Sequence, residues 1–235
     1  MGRRTIIVGD VHGCSRELGE LLDLVAPTSD DRLLFVGDLV ARGPDSHGVI
    51  GIVREVGGKS VLGNHEARLL EVRHAQLRGE TQPAVGVRYE ALYRDLSDSD
   101  WALLDALPLF IDLPDHDARI VHAGVVPGKP FREQDAWTLT NIRSVAPDGS
   151  ASSEAGAESW GATYRGKPHI VFGHDARRRL QIYPWATGID TGCVYGGSLT
   201  ALVLPQGETV PFPEQRRELL VSVRAREAYY TGRVV

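Results

Sequence analysis

DRLLFVGDLVARGPDS, residues 31–46, opens on an apolar run, turns at a glycine, and delivers a carboxylate, Asp38, and then Arg42. A continuous apolar run of this length, bounded by turn signals, fits a strand buried on both faces, so Asp38 falls at a strand end. The same construction recurs in RTIIVGD (4–10), KSVLGNHE (59–66), ARIVHAG (118–124) and PHIVFGHD (168–175). Between the first two runs, Leu18, Leu21, Leu22 and Val25 recur at helical spacing and Pro27 marks the stop. SHGVIGIVREVG (46–57) and NHEARLLEVRHAQL (64–77) behave in the same way. Strands alternating with helices predict an α/β architecture in one domain spanning 1–235.

Around this framework the pattern varies. Residues 75–107 turn helical and polar and predict a variable helical insert or lid, with Ser97 or Ser99 capping a helix that carries Trp101. LPLFIDL (107–113), LQIYPWA (180–186), TGIDTG (187–192) and SLTALVL (198–204) read as strands. The small, polar stretch 146–161 predicts a mobile loop, and PEQRRELLVSVRAREAYY (213–230) a closing helix.

Composition sets outer limits. The 235 residues carry 26 basic and 31 acidic side chains, a net charge of −5, which argues against a generic nucleic-acid binder. An anionic substrate would need local arginines or metal. Two cysteines far apart, Cys14 and Cys193, predict no structural disulfide and a reducing, cytoplasmic setting. No apolar run approaches the ~18 residues of a membrane span.

The strand ends converge on one chemistry. Asp10 with His12, Asp38, Asn64 with His65, His122 and His174 each stand beside a glycine that lets the backbone turn sharply. Two Asp, three His and an amide oxygen form a mixed nitrogen–oxygen set, which suits Mn²⁺, Fe²⁺, Co²⁺ or Zn²⁺ better than Mg²⁺ or Ca²⁺. Such a set is enough for two ions if Asp38 is shared, and a two-metal centre can activate water and clamp a phosphoryl group. One such motif alone arises easily by chance; five in consistent order do not.

These residues resemble the calcineurin-type metallophosphoesterases and, within them, the phosphoprotein phosphatase superfamily. The resemblance runs from residue 5 to about 204, and it implies a central β-sandwich of two mixed sheets flanked by helices. It implies that Asp10, His12 and Asp38 hold one metal, and that Asp38, Asn64, His122 and His174 hold the other. Mn²⁺ is the expected ion, His65 the acid, and Arg42 and, on weaker flanks, Arg143 the phosphate clamps. Tyr195, in GCVYGG, would line the site. Where protein Ser/Thr phosphatases have an aspartate that orients the acid histidine, this chain has Ala41. GDLVARGP (37–44) and IDTGCVYGGSLTAL (189–202) resemble instead the bacterial symmetrical diadenosine tetraphosphate hydrolases (the ApaH type), although that subfamily often has Asp where Glu66 stands.

The expectation is therefore hydrolysis of diadenosine tetraphosphate to two ADP. Nucleoside-tetraphosphate-capped RNA ends are a further substrate of that resemblance. Two rivals are a protein Ser/Thr phosphatase and a catalytically inactive nucleotide-binding regulator. Adenine would stack on Tyr89, Tyr93, Trp160 or Tyr164, while Arg177, Arg178 and Arg179 either gather polyphosphate or, for at least two of them, face solvent. Oligomeric state is left open.

Overall fold

The alternating runs do become strands joined by helices. The structure, a computed structural model, describes residues 3–81 and 87–232. From the N-terminus come β1 (Thr5–Val8), α1 (Ser15–Val25), β2 (Arg32–Phe35), α2 (Ser46–Glu55), β3 (Lys59–Ser60), α3 (Asn64–Leu77), α4 (Val87–Asp95) and α5 (Asp98–Asp105). There follow β4 (Phe110–Leu113), β5 (Ala118–Val121), α6 (Ala136–Asn141), β6 (Ser144–Val145), β7 (Ala151–Ser152) and α7 (Trp160–Thr163). The chain ends with β8 (His169–Phe172), β9 (Gln181–Ile182), β10 (Ala186–Gly188), β11 (Ser198–Leu204), α8 (Pro213–Arg216) and β12 (Leu220–Arg224).

Two five-stranded mixed sheets result, ordered β12-β11-β1-β2-β3 and β4-β5-β8-β10-β9. The period of two along β1 explains how they stack. Ile7 joins Leu34, Ile120, Val171 and Ile189 in a core shared by the two sheets. Ile6 and Val8 face the other way, onto Leu18 and Leu21 of α1 and Val49, Ile50 and Val53 of α2. On the far side of the second sheet, Val121, Ile170 and Phe172 pack against Leu139 and Trp160. Helices thus cover both outer faces, and β1 and β2 are buried on both sides, as their apolar runs require. Each such side chain removed from water is worth ~1.5–3 kcal/mol.

Topology decides where the chemistry goes. β1, β2 and β3 run parallel, and so do β5, β8 and β10. Their C-terminal ends therefore gather at one rim of each sheet, and the backbone amide of His174, beyond β8, donates to the carboxylate of Asp10, beyond β1. That bond joins the two rims.

Two expectations fail. Residues 213–230 are not a helix: α8 and a short 3₁₀ turn (Arg217–Leu219) give way to β12, which pairs antiparallel with β11 from Leu202↔Leu220 to Ser198↔Arg224. The β-branched residues of LLVSVR close the open edge of β11, and that tertiary pairing overrides helical periodicity. Residues 146–161 are not loop throughout: they hold the turn and second strand, β7, of a hairpin begun by β6, where Gly149 takes a φ of +85° and Asp148 accepts from the amide and hydroxyl of Ser150. In the 75–107 region, Ser97 caps α5 by accepting from the amide of Asp100, whose carboxylate returns to the amide of Ser97. Residues 82–86, inside the expected insert, lie outside the described residues.

Candidate metal centre and phosphate site

Asp38 stands at the middle of the rim. Its Oδ2 lies 3.5 Å from Nε2 of His12 and 3.5 Å from Nε2 of His122. It belongs to two compact sets of potential ligands: with His12 and His65, and with His122 and His174. Asn64 Oδ1 completes the second set, 3.0 Å from His122 Nε2 and 2.9 Å from His174 Nδ1. Asp10 sits outside both triplets, with its carboxylate 3.0–3.2 Å from the His174 amide. Close approach explains two glycines. A Cβ on Gly63 would overlap the amide and carboxylate of Asp38 and the carboxylate of Glu66, and one on Gly173 would overlap the carboxylate of Asp10.

The imidazoles carry a sharper signal. His12 Nδ1 lies 3.2 Å from the Val40 carbonyl, His122 Nδ1 2.8 Å from that of Val36, and His174 Nε2 3.1 Å from that of Asn141. A carbonyl only accepts, so each of these nitrogens carries the ring proton. The opposite nitrogen is then left unprotonated with its lone pair aimed into the centre, the arrangement by which outer hydrogen bonds prepare histidines as metal ligands. Double protonation does not rescue the geometry. Burial pushes His122 down to about 4 and holds His12 and His174 well below the ordinary value. The lone pairs of His122 and His174 therefore face the amide oxygen of Asn64, acceptor against acceptor. A cation reconciles them.

Buried carboxyls tell the same story. Burial raises Asp38, Glu66 and Asp190 to about 7, and lifts Asp10 well above the carboxylate range with help from the charges of Asp190 and Asp38. Four carboxyls that resist ionisation in one pocket fit a site built for divalent charge. Glu66 has a structural task within it, accepting from the amides of Asp38 (2.9 Å), Val40 (3.1 Å) and Gly63 (3.0 Å). Glu66→Ala would strand three buried donors at ~1–3 kcal/mol each. We expect urea unfolding of this variant to show a loss of at least ~3 kcal/mol, with Glu66→Gln intermediate because it keeps one oxygen. An unchanged midpoint would mean that the amides find other partners.

Cationic side chains line the opening. Arg42 Nη1 lies 3.3 Å from His12 Nε2, and its guanidinium rests over the rings of Tyr195 at 5.5 Å and Tyr230 at 5.7 Å. Tyr195, expected to line the site, has a buried hydroxyl and a ring that forms a platform under Arg42. Arg143 is buried beside His174, donating to the carbonyls of Ser153 (2.9 Å) and His174 (3.5 Å). Arg178 is taken up by Asp175, 3.1 Å away, and by the Gly156 carbonyl.

His65 differs from the other three histidines. Its Nε2 faces Asp38 Oδ2 at 4.0 Å, but its Nδ1 meets the hydroxyl of Tyr89, whose ring stacks on it at 5.7 Å. Burial raises the Tyr89 phenol above its ordinary value, so the hydroxyl keeps its proton at neutral pH and can donate it to Nδ1. Ala41, at the position where a protein phosphatase would carry an aspartate, is buried and has a φ of +69°.

Comparison with known proteins agrees with this geometry. The profile of the calcineurin-like phosphoesterases matches residues 3–179. The chain belongs to this family. It is 34% identical to the bis(5'-nucleosyl)-tetraphosphatase PrpE (asymmetrical) of Halalkalibacterium halodurans, covering 94% of this chain and 97% of the relative. The protein of the same name from Geobacillus thermodenitrificans is 32% identical, over 88% and 93%. A crystal structure described as that of a candidate diadenosine tetraphosphatase superposes with a TM-score of 0.80 at 34% identity, covering 99% of this chain and 96% of that one. A protein serine/threonine phosphatase from Saccharomyces cerevisiae superposes at 0.59 with 16% identity, over 95% and 79%, a likeness of fold alone.

Membership of a calcineurin-like phosphoesterase family implies divalent metal, which the acceptor geometry above accommodates. Several residues of this family member escape sequence reasoning. Asp190, buried after β10, adds a carboxyl whose charge reaches Asp10. Its signal is present, because IDTG places an acidic residue just beyond a strand and two residues before a glycine. The aromatic candidates for adenine are otherwise employed. Trp160 is in the core and donates to the Ala123 carbonyl, Tyr164 donates to the Pro168 carbonyl, Tyr93 leans on Trp101, and Tyr89 holds His65. Among the described residues no helix is long and apolar enough to cross a membrane.

Proposed function

We propose that this chain hydrolyses dinucleoside tetraphosphates unsymmetrically, releasing a nucleoside monophosphate and a nucleoside triphosphate. The observation that carries a phosphoryl-transfer site is the convergence of His122, His174 and Asn64 lone pairs beside Asp38, with Arg42 and Arg143 at its edge. The expectation of a symmetrical cut gives way because the relatives matched over most of their length are designated asymmetrical.

Two divalent ions, one held by Asp10, His12 and Asp38 and the other by Asp38, Asn64, His122 and His174, would activate water and neutralise phosphoryl charge. The chain's own groups do the rest. Arg42, braced by Tyr195 and Tyr230, and Arg143 hold the non-bridging oxygens of the α-phosphoryl group. Asn64 orients that group. One O–H bond of the water breaks and its proton passes to solvent, the oxygen bonds to Pα in line, the Pα–O bond to the triphosphate breaks, and the electron pair leaves with the triphosphate. His65 is disfavoured as an imidazolium by burial and by the nearby charge of Arg42. With Tyr89 donating to Nδ1, the single ring proton would sit on Nε2, where it would hydrogen-bond the departing oxygen. A terminal phosphate with a second pKa of ~6 needs no stronger acid.

Product analysis in ¹⁸O water with Mn²⁺ tests this reading. We expect AMP and ATP from diadenosine tetraphosphate, with the label in AMP. Two ADP would restore the symmetrical cut, and label in ATP would move the attack to Pβ. A phosphopeptide turned over faster than the dinucleotide would overturn the substrate class.

A further inference from the structure

A cavity of about 530 Å³ opens beside the metal-ligand candidate Asn64 and is lined by Leu62, Arg68, Leu109, Trp137 and Asn141. Cavities of this size take small organic ligands. Trp137 presents its ring there at 48% exposure, whereas Trp101 and Trp160 are buried at 4% and 1%. Its helix, α6, is held in place. The Asp135 carboxylate accepts from the Thr138 amide at 2.7 Å, Leu139 is buried in the outer core, and the Asn141 side chain donates to the Trp137 carbonyl at 3.1 Å. The same helix ends in the Asn141 carbonyl that fixes His174. One short element thus positions an exposed indole and a candidate metal ligand together.

We propose that this cavity is the nucleobase subsite for the nucleoside attached to the phosphorus under attack, with the base stacked on Trp137 against the Leu62 and Leu109 walls. The proposal rests on the nucleotide reading of the site above. A flat exposed indole beside aliphatic walls suits the π-face of a base, and stacking of this kind tolerates any base. The spacing selects which nucleoside enters. Asn64 belongs to both the phosphate site and the cavity, so only a ribose and one phosphate separate base from reaction centre. A nucleoside carrying three intervening phosphates would have to fold back to reach the same cavity. This geometry assigns the subsite to the monophosphate product.

Indole fluorescence titrated with AMP, and separately with ribose 5-phosphate, tests the assignment directly. We expect AMP to quench, ribose 5-phosphate to leave the signal unchanged, and Trp137→Phe to lose the quench. In kinetics, Trp137→Ala should raise KM for the dinucleotide about tenfold and lower kcat/KM for p-nitrophenyl phosphate, which carries no base, far less. No quench with AMP, or equal losses on both substrates, would overturn the subsite, the second outcome marking Trp137 as a support of His174. Quenching by AMP in a protein that fails to cut dinucleotides would sink the functional reading and leave the subsite standing.

Discussion

Asp38→Asn will abolish dinucleotide hydrolysis while leaving the metal-free protein folded. Asp38 Oδ2 lies 3.5 Å from a histidine nitrogen of each ligand set, so replacing its charge weakens both at once. Losing charge stabilisation worth several kcal/mol corresponds to a drop in kcat of roughly 10³-fold or more. Backbone geometry favours the variant, since Asp38 has a φ of +50° and Asn is among the residues best tolerated there. The amide oxygen also keeps the bond that Asp38 Oδ1 accepts from the His65 amide at 3.0 Å. Metal content by mass spectrometry should fall well below two ions per chain. A variant that retained both ions and most of its activity would show that Asp38 does not bridge.

In metal-depleted protein the same substitution changes the response of stability to pH. Asp38 rises from 3.8 to about 7 on folding, chiefly through burial. A carboxyl whose folded value is raised contributes its stability below the unfolded value and loses it as pH rises through the folded one. His122, lowered from 6.5 to about 4, acts in the opposite sense, and its contribution is complete above 6.5. Between pH 6.5 and 8 the carboxyls therefore dominate. Thermal midpoints of the metal-free protein should fall across that window, and the fall should be smaller in Asp38→Asn. Added Mn²⁺ should remove it. A midpoint that is flat in chelator would mean that the pocket relaxes enough to hydrate its acids.

The difference between what can and cannot be read from the chain follows from locality. His12, Asp38, Asn64, His122 and His174 announce themselves because each follows an apolar strand and a tight turn within a few residues, and parallel pairing then brings the strand ends together. Tyr89 is 24 residues from His65 in sequence, and Ala41 signals only that something is missing, so no local pattern links them. Trp137 escapes notice because a tryptophan in DAWTLTN has no periodicity that separates an exposed ring from a buried one. β12 reads as a helix because its partner edge on β11 exists only once the sheet has formed. Tyr195 is legible only as a neighbour of the site, because the platform its ring forms under Arg42 joins residues 153 positions apart.

Tyr89 answers the question that Ala41 raises, and the answer predicts a set of rates. His65→Ala should lower kcat on the dinucleotide by about 10²-fold, the lower end for a positioned proton donor, because a nucleotide's terminal phosphate leaves readily. Tyr89→Phe keeps the stacked ring and removes only the hydroxyl, freeing His65 to carry its proton on the wrong nitrogen. Its cost, expected at about tenfold, should vanish in the His65→Ala background, where there is no imidazole left to orient. The ¹⁵N shifts of the His65 ring in metal-free protein supply a readout independent of turnover, with one Nε2–H tautomer in the wild type and a mixture in Tyr89→Phe. Ala41→Asp then tests the comparison with protein phosphatases. Position 41 has a φ of +69°, where Asp is more at ease than Ala. A carboxylate that reached His65 would favour the imidazolium, helping departure of an alkoxide far more than that of a triphosphate. Activity on serine or aryl phosphates should therefore rise relative to the dinucleotide. An unchanged ratio would show that the introduced carboxylate does not reach the ring, and that Tyr89 took the role through a separate geometry rather than by replacing a lost partner.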